Sequence, residues 1–216
     1  MVDVVLIPLH DGRRVLLRDI EPEDAPLLVR AHSITSDEAL QARFLSAKPR
    51  LSSGEVHYLT HVDRLDHVAL VAVEVDRPEA IVAVGRWIRD RGRPDAAEAA
   101  FIVADDYQGV GLGSALAIAL ADRAVARGVR VLQGSMYTDN RGSVALFARM
   151  GGELTVVNEG ITNEVRTTLP SATDRLERLV VRRRLRPGHD RPRRDRLRRV
   201  PRRRRQPHPQ VGAVAA

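Results

Sequence analysis

The sequence predicts an α/β fold, in the α+β sense, built on one mixed and mostly antiparallel sheet. Three observations carry that prediction. Residues 68–75, 81–88 and 97–103 are β-branched and apolar runs separated by Asp76-Arg77-Pro78-Glu79 and by a turn over 89–95 that holds Gly92 and Pro94. They read as a three-stranded antiparallel meander. A glycine-rich turn then opens residues 111–127, where Leu112, Leu116, Ala119, Leu120 and Ala124 share one helical face, and residues 129–137 read as a strand. A helix that joins two strands of one sheet in a right-handed crossover makes them parallel. Last, a helix starting at Asn140 and a hairpin of residues 153–157 and 164–169 about Asn158-Glu159-Gly160 close the domain.

The remaining elements follow in order. Asp11-Gly12 marks a turn, and residues 13–18 form the first predicted strand. Glu21-Pro22-Glu23-Asp24 places proline and acids where a helix begins, which predicts a helix over 22–32. A second helix starts near Ser36, with Ala39, Leu40, Arg43 and Phe44 in one stripe, and ends by Pro49. A third lies within 51–66, with Ser53 as N-cap and Val56, Leu59, Thr60 and Val62 inside. Gly128 suits the end of the helix over 111–127, and Ser143, Leu146, Phe147 and Met150 are spaced for the helix after Asn140, stopped by Gly151-Gly152.

Composition narrows the function classes. The 216 residues include no cysteine, which removes disulfides, thiolate nucleophiles and cysteine–zinc sites. No stretch is long and apolar enough to span a membrane, and residues 1–7 lack the basic start of a signal peptide, so the expected location is cytoplasmic, with no membrane partner. The net charge of +7 is unevenly placed. Residues 1–172 hold 19 Lys+Arg against 24 Asp+Glu, whereas 173–216 hold 16 against 4. The expectation is a mildly acidic domain over 1–172 and a basic, arginine- and proline-rich tail over 173–216, too poor in apolar residues to offset its ordering entropy. Arginine clusters such as Arg202-Arg203-Arg204-Arg205 make non-specific binding of nucleic acid or another polyanion one reading of the tail, and a solvated extension the other.

The chemistry concentrates between Glu98 and Gly113. A strand, an acidic turn and a glycine-rich turn opening a helix together suit a phosphorylated ligand. Amides at a helix start are unpaired, they carry the positive end of the helix dipole, and glycine allows close approach. The alternative is a tight strand-to-helix turn with no ligand. His57 and His61 are four apart, but no third ligand accompanies them, so no metal site is predicted.

Gln108-Gly109-Val110-Gly111-Leu112-Gly113 matches the Gln/Arg-x-x-Gly-x-Gly/Ala signature of the GNAT superfamily of acetyl-CoA-dependent N-acetyltransferases. Asn140, Ser143, Leu146 and Gly151 match a second motif of that superfamily at its usual separation. Over residues 11–169 the chain therefore resembles a GNAT domain. Asp11-Gly12-Arg13, Arg18-Asp19-Ile20-Glu21-Pro22-Glu23-Asp24, Arg43-Phe44-Leu45 and Ala104-Asp105-Asp106-Tyr107-Gln108-Gly109 further resemble the catalytic domain of bacterial Pat-type protein lysine acetyltransferases.

The resemblance implies a sheet of six or seven strands with splayed central strands and about four to five flanking helices. It also implies acetyl-CoA as co-substrate, with no metal. The pantetheine arm would run along Phe101, Ile102 and Val103, and the pyrophosphate would rest on Gln108, Gly109, Val110, Gly111, Leu112 and Gly113. Asn140 and Arg149 match further cofactor contacts. Asn140 has an alternative role as a helix N-cap and Arg149 as a solvated helix residue. The acceptor would be an amine, a protein lysine foremost, with a small-molecule amine as the alternative and a non-catalytic module with a polyanion-binding tail as the third reading. A lysine amine with a pKa of about 10.4 is neutral in roughly one molecule in 10³ at pH 7, so a base is required. Glu98 corresponds to the general base of the Pat-type branch; its alternative is a solvated residue on an alternating strand. Many superfamily members have tyrosine as proton donor where this chain has Phe147, which cannot donate, and Tyr137 is a substitute or a structural residue.

Overall fold

Eight strands alternate with four α-helices in the computed structural model, which describes residues 4–36 and 50–170. The strands are β1 (Val5–Pro8), β2 (Arg14–Asp19), β3 (His67–Glu74), β4 (Ile81–Asp90), β5 (Arg93–Val103), β6 (Val131–Tyr137), β7 (Glu153–Asn158) and β8 (Thr162–Thr168). The helices are α1 (Ala25–Ile34), α2 (Ser53–Thr60), α3 (Leu112–Ala126) and α4 (Arg141–Arg149). One sheet contains every strand, in the order β1-β2-β3-β4-β5-β6-β8-β7. All neighbours are antiparallel except β5 and β6, the pair joined by α3.

The sheet thus has eight strands, not six or seven. The additional one is β1, whose apolar run Val5-Leu6-Ile7 pairs only with β2 and stays largely exposed. Other boundaries also shift. The chain after Glu21 makes one 3-10 turn over Pro22–Asp24 before α1 begins at Ala25. Asp24 there binds both the Glu21 amide, at 2.9 Å, and Arg18, so the first turn is fixed before the α-helix starts. The N-cap of α2 is Ser52, not Ser53, because Ser52 and Glu55 complete a capping box, and the helix ends at Thr60, leaving Val62 outside. β5 starts at Arg93 and includes Pro94, since Asp90 pairs with Arg93 in a tighter turn than expected. The helix expected from Ser36 toward Pro49 falls on residues 37–49, outside the described residues, as do 171–216.

Alternation along β4 and β5 sends residues to two layers. Trp87, Ala97 and Ala99 pack against Leu112, Leu116 and Leu120 of α3 and Phe147 of α4. Val84 and Ile102 face the other way, with Leu28 of α1 and Leu59 of α2. Gly85 explains how α3 lies so close to the sheet, because a Cβ there would sit 2.9 Å from Leu116 Cγ. The C-terminal end of α3 is closed by Gly128 at φ +79°, a conformation glycine adopts without a Cβ penalty.

Candidate active site

The parallel ladder between β5 and β6 is short. It runs from Ala96↔Val131 through Ala97↔Leu132 and stops at Glu98↔Gln133. The two backbones still touch one step further on, where a Cβ on Gly134 would be 2.9 Å from the Ala99 carbonyl oxygen. Beyond that point β5 pairs with β4 alone and β6 with β8 alone. Glu98 therefore stands, exposed, at the apex of a wedge between the two strands.

Which backbone groups enter the wedge follows from the register. Ala104 N–H donates to the Val82 carbonyl at 2.9 Å, which makes Ala83↔Val103 a pair whose own amides point away from β4. Phe101 and Val103 accordingly turn N–H and C=O toward the wedge, whereas the backbone of Ile102 is engaged with β4. Gln108 sits at the far end of β5 from that apex, its Nε2 donating to the Val103 carbonyl at 3.2 Å and to Asp105 Oδ1 at 3.0 Å. The glutamine of the loop signature thus braces the exit from β5.

The loop that follows has its own requirements. After a 3-10 turn over Asp105–Tyr107, Gly109 and Gly111 adopt φ +72° and +95°. The first hydrogen bond of α3 runs from Ala115 N–H to the Gly111 carbonyl at 3.1 Å, so the amides of Leu112, Gly113 and Ser114 have no partner within the helix. Gly111 is the N-cap and offers no side chain to satisfy them. An anion fits this uncapped start, and Ser114 belongs to it although its residue type gave no signal in the sequence. The glycines have internal reasons as well: a Cβ on Gly111 would lie 3.1 Å from the His10 ring, and one on Gly113 would lie 3.1 Å from Leu146. Val110 uses its carbonyl to accept from His10 N–H at 3.0 Å.

On α4, Asn140 Oδ1 accepts from Ser143 N–H at 2.9 Å, so this residue does cap the helix. Arg149 is exposed near the other end. Phe147 is buried, edge-on to Phe101 with ring centroids 6.1 Å apart, and its para carbon abuts Gly134.

Glu98, Ala100 and Ile102 share the face of β5 turned toward α1 and α2. A small cavity of about 60 Å³ opens on that face between Leu28, His32, Leu59, Arg86, Ala100 and Ile102. Arg86 is 4% exposed, and its Nη1 lies 3.1 Å from His67 Nε2 and 3.3 Å from the Leu59 carbonyl. A guanidinium only donates, so Nε2 accepts and the imidazole is neutral. Burial, then the Arg86 charge, lower the His67 pKa to about 4, against the opposing charge of Asp63. Neither residue type announced this pair in the sequence, since an arginine inside an apolar strand gives no sign that it will be buried. Among the described residues no group of three His, Cys, Asp or Glu could hold a metal. His57 and His61 instead stack on one another, 3.7 Å between centroids.

Among the described residues, the same face is open toward β6 and β8. Register puts Gln133, Ser135 and Tyr137 beside Arg166, Glu164 and Thr162, and the Ser135 hydroxyl donates to Glu164. Ser135 and Arg166 are exposed. Glu98 is thus reached from a polar shelf.

Comparison with known proteins places this geometry among relatives. The model of the acetyltransferase (GNAT) domain matches residues 14–153. Acetyltransferase Pat of Mycolicibacterium smegmatis is 32% identical over 145 residues, covering 67% of this chain and 43% of that protein. The chain spans less than half the length of that relative. Acetyltransferase PA5475 of Pseudomonas aeruginosa is 30% identical over 146 residues, covering 66% of this chain and 77% of its own. The crystal structure of the GNAT domain of S. lividans PAT superposes with a TM-score of 0.70 at 31% identity, covering 77% of this chain and 97% of that one.

Proposed function

Since the chain belongs to the acetyltransferase (GNAT) domain family, we propose that it transfers an acetyl group from acetyl-CoA to an amine, a protein lysine foremost, by direct attack within a ternary complex. The observation that carries this reading is the wedge between β5 and β6, with a carboxylate at its apex and an uncapped helix start beside it. Acetyl-CoA, when bound, supplies the activated acetyl thioester. Leu112, Gly113 and Ser114 offer amides to its pyrophosphate, and Phe101 and Val103 offer strand amides to its pantetheine arm. Gln108 holds the turn between those two sets in shape. Asn140, at the start of α4, and Arg149, exposed at its other end, are the further candidates for cofactor contact.

Glu98 receives the proton that the acceptor amine sheds, directly or through one water. Its exposure leaves it accessible from the shelf. Phe147 has no proton to give, so the departing thiolate, from a thiol of pKa about 8.5, leaves without a donor at that position. The chain has no cysteine to carry an acetyl group between the two substrates, which supports direct transfer. The open shelf supports a protein lysine, whose bulk stays outside while its extended side chain reaches Glu98. Thiol release measured with a panel of lysine-bearing proteins and small amines tests the reading. Turnover with the proteins is expected. Turnover confined to polyamines or amino acids would assign a small-molecule enzyme. No release with any acceptor, together with salt-dependent DNA binding lost on removing residues 173–216, would favour the non-catalytic module.

A further inference from the structure

The hairpin turn between β1 and β2 carries a residue that the proposed function has not used. His10 donates its backbone N–H to the Val110 carbonyl at 3.0 Å, which ties the turn to the glycine-rich loop. Two more contacts hold it there: Arg13 Nη2 donates to the Asp106 carbonyl at 2.5 Å, and its guanidinium stacks 3.8 Å above the Tyr107 ring centroid. Leu9, next to His10, is buried in the core under the turn. The turn is therefore tied to the loop, and the His10 side chain on it is exposed. Its Cε1 and Nε2 lie 3.1 Å from where a Cβ of Gly111 would stand, immediately before the free amides of α3. Neither ring nitrogen has a hydrogen-bond partner among the described residues. The residue also precedes the stretch matched by the family model, which begins at residue 14.

We propose that His10 is an additional cofactor-binding residue, whose imidazole N–H donates a hydrogen bond to a phosphate oxygen of the acetyl-CoA seated on the glycine-rich loop. The inference rests on the acetyl-CoA reading above. The amides of Leu112, Gly113 and Ser114 all approach an anion from the helix side. His10 comes from the β1–β2 side, and a donor there gives the same anion a second direction of support that the backbone cannot supply. An exposed donor to a charged acceptor is worth about tenfold in affinity.

Calorimetry with acetyl-CoA on the full chain tests this with two variants. His10→Ala is expected to weaken binding about tenfold, and His10→Gln, which keeps a side-chain N–H, to recover most of the loss. Equal affinity of wild type and His10→Ala overturns the proposal. Equal losses in His10→Ala and His10→Gln also overturn it, because ring shape against Gly111, and not a donated bond, would then be what matters. Failure of the wild type to bind acetyl-CoA at all removes the reading beneath the proposal, and is seen without either variant.

Discussion

Glu98 owes its position to a single register step. The ladder partners before it, Ala96 and Ala97, are locked to β6, and Ala99 beyond it meets β6 through the close approach of its carbonyl to Gly134. A carboxylate one residue earlier, in place of Ala97, would point into the α3 layer beside Trp87 and Ala99. Replacing it tests the proposed proton-transfer role, because Glu98→Gln keeps the shape and removes the carboxylate. Turnover is expected to fall about 10²-fold or more with acetyl-CoA affinity nearly unchanged; equal turnover of variant and wild type in a thiol-release assay would remove Glu98 from the mechanism. The glycines and Gln108 are legible as candidates by kind and spacing, and Glu98 through the family resemblance. Their partners were not announced. Gln108 bonding back to Val103, and Ile102 giving its backbone to β4, depend on strand phase, which residue identity does not encode.

At the scale of elements, periodicity revealed nearly every helix and strand between residues 13 and 169 that the structure describes, because burial of one face forces the 3.6 and 2 residue repeats. What it could not supply was the fit between layers. Gly85 lies inside β4 with nothing local to require it, and its reason is α3: Leu116 occupies the place of its side chain. Gly85→Ala should push the helix off the sheet and cost about 1–3 kcal/mol, read as a lower denaturant midpoint. A midpoint within error of wild type would mean that Leu116 gives way freely. The cap of α2 is a separate test of local fit. Ser52 Oγ accepts from Glu55 N–H at 3.3 Å while Glu55 Oε2 accepts from Ser52 N–H at 2.8 Å. Ser52→Ala is expected to cost about 1 kcal/mol, whereas Ser53→Ala, at the position first read as the cap, should be close to neutral.

For the whole molecule, strand order was the least accessible property. A hairpin from residue 153 to 169 can dock on β6 by either strand, and β8 wins because Val165 and Thr167 are buried against the helix layer while β7 is exposed along most of its length. Burial on the opposite face of the sheet sets the response of the fold to acid. His67 and Arg86 lie together under α2, and the neutral imidazole is part of the native state. Its folded pKa of about 4 lies below the unfolded value of 6.5, so the unfolded chain binds more protons between those limits. Stability therefore falls as pH drops from about 6.5 to about 4, by at most about 3 kcal/mol. Asp24 and Asp63 add to the loss only further down. Burial pushes the Asp24 carboxyl up, but the paired Arg18 guanidinium and the Glu21 amide outweigh it. Burial likewise raises Asp63, and three backbone amides, those of His67, Leu65 and Asp66, hold it below the usual carboxylate range. Both contributions persist above about pH 4 and disappear below it. Denaturant unfolding followed at several pH values should thus show a slope beginning near 6.5 in wild type. In His67→Gln that upper slope should vanish while the lower, carboxylate-driven loss remains, and an unchanged upper slope in the variant would place the titrating group elsewhere.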